Sequence, residues 1–265
     1  MLTSVLTCLP SDSPWRDSIL YFDTIDSTNT KAKELAAQGA PHGTVLLADR
    51  QSGGRGRMGR SFHSPGGKGI YLSVILRPHC QAAQLMHLTC ATAVAACDAI
   101  EFAENLRPGI KWTNDLVFGK KKLGGILTEL SLCPDGSVEY AVVGLGINCS
   151  QMHQDFPQEI RSIATSLSAA VGHPVDRDKI AASLILHLQQ TMDTALTQKC
   201  AIMDRYRRDC ITIGKEISVC SPTLVRHGTA IGVDDNGALL VTFPDGHTEA
   251  VNSGEVSIRG MYGYL

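Results

Sequence analysis

The run Gln51-Ser52-Gly53-Gly54-Arg55-Gly56-Arg57-Met58-Gly59-Arg60 sets three arginines among four glycines in ten residues, just after the apolar stretch Thr44-Val45-Leu46-Leu47-Ala48. Guanidinium groups present planar forks of donors that match carboxylate and phosphate oxygens. Glycine lets the backbone approach a ligand closely. No Asp or Glu occurs from Arg50 to Cys97, whereas Arg50, Arg55, Arg57, Arg60, Lys68 and Arg77 contribute six positive charges. The chemistry implied is a clamp on a polyanion. A second polar concentration, Lys111-Trp112-Thr113-Asn114-Asp115 with Lys120, Lys121 and Lys122, interrupts otherwise apolar segments. Lys, Asn and Asp are poor strand residues, and such local conflicts are expected where function overrides folding preference. A solvent-facing edge hairpin is the plainer explanation for Lys120 and Lys121.

Two nucleotide motifs overlap on the arginine loop, and context removes both. Gly54-Arg55-Gly56-Arg57-Met58-Gly59 fits G-x-G-x-x-G, but that fingerprint must open a helix and be followed by an acidic ribose ligand. Here Ser61-Phe62-His63-Ser64-Pro65-Gly66-Gly67 follows, which cannot be helical, and no acidic residue appears. A phosphate loop ending in Arg60-Ser61 fails for want of the same helix.

The elements that must position these groups follow from pattern. Ile19-Leu20-Tyr21-Phe22 is a first strand, and Asp26-Ser27-Thr28-Asn29 offers capping side chains to a helix ending near Gly39. Thr44 to Ala48 and Gly69 to Leu76 are buried strands, and Gln81 to Phe102 suits a buried helix. Ile110 to Phe118 and Lys122 to Leu130 form a hairpin around Gly119-Lys120. Tyr140 to Asn148 is a further strand, and Asp176 to Cys210 reads as one helix with Ile180, Leu184, Leu188, Met192 and Leu196 on its apolar face. From Ile213 short strands alternate with Asp235-Asn236-Gly237 and Pro244-Asp245-Gly246, describing a small β-barrel of about fifty residues. The fold class is α+β: a mixed β-sheet with helices packed on it over residues 1–212, then the barrel over 213–265.

The 265 residues suffice for one large and one small domain. Net charge is −2, so the basic loop is a local device and not part of a generally basic nucleic-acid binder. Nine cysteines without a C-x-x-C pair suggest a reducing cytoplasm and no zinc site. The N-terminus lacks the basic start of a signal peptide, and no apolar run approaches the length needed to span a bilayer. The expectation is a soluble cytoplasmic protein.

Asp26-Ser27-Thr28-Asn29, the Gly54 to Arg60 loop, Lys111-Trp112-Thr113-Asn114-Asp115 with Lys122-Leu123-Gly124-Gly125-Ile126-Leu127, and Gly144-Leu145-Gly146-Ile147-Asn148 resemble biotin protein ligases in order and spacing. The C-terminal Ser253-Gly254-Glu255-Val256-Ser257 also resembles that family, whose small domain is an SH3-like β-barrel. The resemblance implies two steps. Biotin and Mg-ATP give biotinyl-5′-AMP and pyrophosphate, and biotin then passes to one lysine of a biotin carboxyl carrier domain of a carboxylase.

By resemblance, Ser27, Thr28, Asn29, Gln51, Arg55, Gly56, Arg57 and Lys122 bind biotin and its adenylate, with Ser27 also a plain helix cap. Arg60, Phe62, Lys111, Asn114 and Asn148 face ATP, and the magnesium travels with ATP with no protein metal site. Joining a carboxylate to a phosphate brings like charges together, at about 4 kcal/mol for 4 Å and an effective dielectric near 20. Arg55, Arg57, Arg60, Lys111 and Lys122 are the candidate cations to offset this, with Arg57, Lys111 and Lys122 expected to be catalytic. The acceptor lysine must lose a proton, at roughly 4–5 kcal/mol from a pKa near 10.4 at pH 7, and Asp115 is the candidate base.

Three departures stand out: Thr113 where many members carry proline, Met58 between two loop arginines, and Phe62 where tryptophan is common. Trp112 is assigned to core packing. A lipoate ligase is the nearest alternative, and it lacks this Gly-Arg loop. A DNA-binding repressor needs an N-terminal domain for which the eighteen or so residues before the first strand are too few. A non-specific nucleic-acid module disagrees with the net charge. Members of the family include monomers and homodimers. The four glycines make ordering of the loop costly, by roughly 2–4 kcal/mol relative to alanines, so it is expected to order on ligand.

Overall fold

The computed structural model describes residues 1–221, 224–252 and 257–260. Its main sheet comprises β1 (Ile19–Ile25), β2 (Thr44–Gln51), β3 (Gly69–Leu76), β4 (Gly109–Lys111), β5 (Asp115–Phe118), β6 (Lys121–Leu132) and β7 (Val138–Asn148). Their spatial order is β1-β2-β3-β7-β6-β5-β4. Neighbours are antiparallel except β1 and β2, whose parallel crossover contains α2 (Thr28–Ala37).

Alternation along the central strands makes two unlike faces. Val45, Leu47, Ile70, Leu72, Val74, Val143, Leu145 and Ile147 enter one large core with α3 (Leu88–Glu104), α5 (Arg177–Thr194) and α6 (Lys199–Asp209). Leu46, Ile75 and Val142 meet Ala32 and Ala36 of α2 in a smaller core. The intervening positions Ser73, Gly144 and Gly146 belong to this second face, where the sheet stays open beside α2.

The structure departs from the sequence reading in five places. The N-terminus forms a helix, α1 (Leu2–Cys8), which packs on α5 and buries Val5 completely. The helix expected from Gln81 begins as a 3-10 turn at Ala82–Leu85 and becomes α-helical only at Leu88. Residues 82–104 are long and apolar enough to cross a membrane by length and composition, against the expectation that no run approaches that length. Most of the stretch is buried as the central helix of the core.

The single helix expected from Asp176 to Cys210 is two. Asp176 caps α5 through Asp178 N and Lys179 N, and the break at 195–198 coincides with the Ala195 carbonyl accepting from the buried His87 ring at 2.8 Å. Leu196 there is exposed and off the apolar face. Finally, Ile110 to Phe118 is not continuous strand. Lys111 and Asp115 are paired across β4 and β5, and Trp112, Thr113 and Asn114 form the turn between them. The residues that conflicted with strand propensity are therefore the turn of a hairpin.

After α4 (Leu167–Val171), capped by Ser166, and the α5–α6 pair, the chain enters the second sheet. It contains β8 (Glu216–Cys220), β9 (Val225–Val233), β10 (Leu239–Thr242), β11 (Thr248–Val251) and β12 (Ser257–Gly260), ordered β11-β10-β9-β8-β12 and antiparallel throughout. The first four strands match the expected pattern, and Ser253 to Val256 lie outside the described residues.

Candidate active site

A cavity of about 530 Å³ opens on the second face of the sheet. All fourteen residues singled out from sequence line it: Ser27, Thr28, Asn29, Gln51, Arg55, Gly56, Arg57, Arg60, Phe62, Lys111, Asn114, Asp115, Lys122 and Asn148.

One end is built on the start of α2. Ser27 is extended and its Oγ accepts from Thr30 N at 3.4 Å, so the plain capping role is fulfilled while Ser27 also faces the cavity. Gln51 Oε1 accepts from Thr28 N and Thr28 Oγ1 (2.8 and 3.1 Å), and Gln51 Nε2 donates to Ser64 Oγ at 2.9 Å. From beneath, the fully buried Ser73 Oγ lies 2.7 Å from Thr28 Oγ1 and 2.6 Å from Asn29 Oδ1. Asn29 Nδ2 donates to Leu127 O and Glu129 Oε2. This end thus carries donors and acceptors with fixed orientations. Gly144 makes the arrangement possible, since a Cβ there would fall 1.9 Å from Asn29 Oδ1. At Gly146 a Cβ would fall 2.4 Å from the Phe62 ring.

The arginine loop folds as a tight hairpin over this end. Phe62 N donates to Gly54 O at 2.8 Å and Gly56 N to Arg60 O at 2.7 Å, and Met58 turns the chain at φ 55°. Arg55 reaches across to Glu129 (Nη1 to Oε1, 3.2 Å), which also holds Lys33 Nζ at 2.6 Å. Arg57 Nη1 donates to Asn114 Oδ1 at 3.1 Å. Arg60 and Met58 stay exposed at the rim.

The cationic centre lies between loop and hairpin. Lys111 is buried, and Lys122 Nζ meets Asp115 Oδ1 at 2.5 Å. An irregularity in the β5–β6 register falls beside Lys122, a device that re-aims a side chain. Burial lowers the Arg57 pKa from its ordinary value, and the Asp115 charge opposes the shift while Arg60 adds to it. Glu129 is raised by burial, but hydrogen bonds from Lys33 and Asn29 and the Lys33 and Arg55 charges outweigh this and hold it below the usual carboxylate range.

The far wall was not legible in the sequence. Residues 156–164 run past β6, with Lys122 N donating to Ile163 O at 2.7 Å, and place Phe156, Ile160, Ile163 and Ala164 on the cavity. Asn148 Nδ2 donates to Thr165 O at 3.0 Å and Gln151 Nε2 donates to Asn148 Oδ1 at 3.2 Å, so Asn148 anchors this segment as well as facing the cavity. His63 contacts the chain just before this segment, at Asp155 O. Trp112 is buried in the core as expected, but it also lines the cavity, so core packing is not its only contact. Ser64, Ser73 and Glu129 were missed because each looks like an ordinary strand or loop residue until its partner is known.

The biotin/lipoate A/B protein ligase family model matches residues 21–148, and the model of the biotin protein ligase C-terminal domain matches residues 212–259. The chain is 38% identical over 229 residues to the bifunctional ligase/repressor BirA of Bacillus spizizenii, covering 86% of this chain and 70% of that one. It is 32% identical over 253 residues to the biotin–[acetyl-CoA-carboxylase] ligase of Mycobacterium tuberculosis, covering 92% and 90% of the two. The solved biotin protein ligase from Aquifex aeolicus in complex with biotin and ATP superposes with a TM-score of 0.77 at 28% identity, over 91% of this chain and 98% of that one. With the clamp, the hairpin and the capped helix converging on one cavity, the chain belongs to the biotin protein ligase family.

Proposed function

We propose that the cavity binds biotin and Mg-ATP, joins them as biotinyl-5′-AMP, and delivers the biotinyl group to a lysine of a biotin carboxyl carrier domain, all within the soluble cytoplasm. The observation that carries this reading is the pairing of two unlike ends in one space. A neutral, oriented polar end at Ser27, Thr28, Asn29 and Gln51 suits a ureido ring, which both donates and accepts. A cationic centre at Arg57, Lys111 and Lys122 suits a carboxylate meeting a phosphate.

In the first step a biotin carboxylate oxygen forms a bond to the α-phosphorus of ATP, and the bond from that phosphorus to the bridging oxygen of pyrophosphate breaks. Arg57 and Lys122 neutralise the approaching oxygens, and Lys111 and Arg60 the departing pyrophosphate. We assign the magnesium to the triphosphate of ATP. Phe62 covers the adenine face, and Asn148 borders it. In the second step the acceptor amine forms a bond to the acyl carbon and AMP leaves with the electron pair of the broken C–O bond. Asp115 takes the amine proton, and Lys122 beside it keeps the carboxylate oriented. The catalytic domain is taken as residues 1–212, and the small domain as 213–265.

Incubation with biotin, Mg-ATP and a purified carrier domain tests the reading by intact mass. One biotinyl addition to the carrier is expected. An unmodified carrier, or equal modification with lipoate, would overturn it.

A further inference from the structure

The hairpin turn that presents Asn114 to Arg57 has its back to the C-terminal sheet. The turn joining β9 to β10 is shaped by Asp234, whose Oδ1 accepts from Asn236 N and Ala238 N at 2.9 and 2.8 Å. Gly237 stands at φ +86°, and a Cβ there would lie 2.9 Å from Cys90 Sγ on α3, so this seat requires glycine. Seated so, the Gly237 carbonyl accepts from Trp112 Nε1 at 2.9 Å in a buried bond. Arg207 holds the turn from α6 through Val233 O and Asp235, and Lys199 Nζ adds a 2.6 Å bond to Asn236 Oδ1.

The other polar groups of the hairpin turn are also engaged behind it. Trp112 N donates to Thr212 Oγ1 at 2.9 Å, and Thr113 O accepts from the buried Tyr206 hydroxyl at 3.2 Å. Asn114 then has one place to stand: its Nδ2 donates to Ile126 O at 3.0 Å, and its Oδ1 receives Arg57. Two side-chain hydrogen bonds and two peptide links connect Gly237 to the arginine loop.

We propose that Gly237, through its bond to the Trp112 indole N–H, is a positioning residue for adenylate formation: the small C-terminal domain sets the hairpin turn so that Asn114 orients Arg57, without itself touching substrate, while the Trp112 ring also borders the cavity. This rests on the reading of the cavity as the adenylation site. A simple joint between two domains would hold the same area together but would have no effect on the rate per folded molecule.

The test uses the full chain and the variants Trp112→Phe, which removes the donor and keeps a ring, and Gly237→Ala, which unseats the turn. Each is measured for thermal midpoint, biotin affinity without ATP, and kcat of ATP–pyrophosphate exchange, alone and with Asn114→Ala. Expected is a fall in kcat of roughly five- to tenfold, the size of one buried hydrogen bond, with biotin affinity unchanged. On the Asn114→Ala background, where the contact is already lost, neither variant should lower kcat further. Wild-type kcat in folded Trp112→Phe, additive losses with Asn114→Ala, or a parallel fall in biotin affinity would overturn the proposal. Should Gly237→Ala not fold, Trp112→Phe decides alone. An absence of exchange in the wild-type chain removes the reading of the cavity itself, and the proposal with it.

Discussion

Arg57 donates to Asn114 Oδ1 at 3.1 Å, tying the glycine-arginine loop to the turn between two short strands fifty-seven residues later in the chain. The arginine is half-buried, and burial works against its charge while the Asp115 carboxylate supports it. A cation held in place before the reaction stabilises developing charge without reorganising.

Arg57→Ala is therefore expected to slow ATP–pyrophosphate exchange by about 10²–10³-fold, the usual cost of one electrostatic donor. Arg57→Lys should recover little of this, since a single ammonium cannot reproduce a planar fork. Steady-state exchange rates of the two variants provide the check.

Asp115→Asn should slow transfer from preformed biotinyl-5′-AMP by about 10²–10⁴-fold, the range for a lost general base. Because Lys122 Nζ sits 2.5 Å from Asp115 Oδ1, a smaller loss in adenylate formation is expected too. A variant impaired only in making the adenylate, and normal in single-turnover transfer, would remove Asp115 from the proton-accepting role.

Gly144→Ala places a methyl where Asn29 Oδ1 stands. Overpacking of this kind costs about 1–3 kcal/mol of stability, and the displaced amide should weaken biotin binding far more than ATP binding. Urea midpoints together with separate titrations of the two substrates distinguish the effects.

Glu129 sits below the ordinary carboxylate range in the folded chain because contacts with Lys33, Asn29 and Arg55 outweigh its burial. A carboxylate shifted in this direction favours the fold above its unfolded value, near 4.3, and that contribution is lost as pH falls through the lower folded value. Between about pH 5 and pH 3 the urea midpoint should drop more steeply in the wild type than in Glu129→Gln. Parallel curves would show that the carboxylate contributes nothing.

Ordering of the arginine loop is expected to follow ligand. Cleavage at Arg55, Arg57 or Arg60 by trypsin should be rapid in the free protein and slow with biotin and ATP. Equal protection in both states would mean that the Arg55–Glu129 and Arg57–Asn114 contacts suffice by themselves.

The site's chemistry was legible because it uses residue types that strands and helices disfavour, such as Asn114 and Asp115 within an apolar hairpin or three arginines without acidic neighbours. Short apolar runs such as Thr44 to Ala48 and Gly69 to Leu76 likewise marked strands of the sheet. The partners of these groups were not legible. Ser73 contacts Thr28 and Asn29 across more than forty residues, and Glu129 contacts Arg55 across seventy-four. Nothing local marks either one. The far wall at Phe156 to Ala164 is held by backbone bonds to β6 that side-chain pattern cannot report. The break between α5 and α6 coincides with a bond from His87, 108 residues from the carbonyl that accepts it.

The floor of the cavity at Gly144 and Gly146 is bare backbone, with Asn29 and Phe62 occupying the space that a methyl group would need. Mutation at those two positions has only one direction, since any replacement adds atoms. Drift or selection can shrink the cavity there and never enlarge it. A variant accepting a bulkier acid must arise instead at side chains that can be trimmed, of which Leu127 and Ile126 border the same space. The lineage's freedom to change substrate is therefore asymmetric, and the asymmetry is set by two hydrogen atoms.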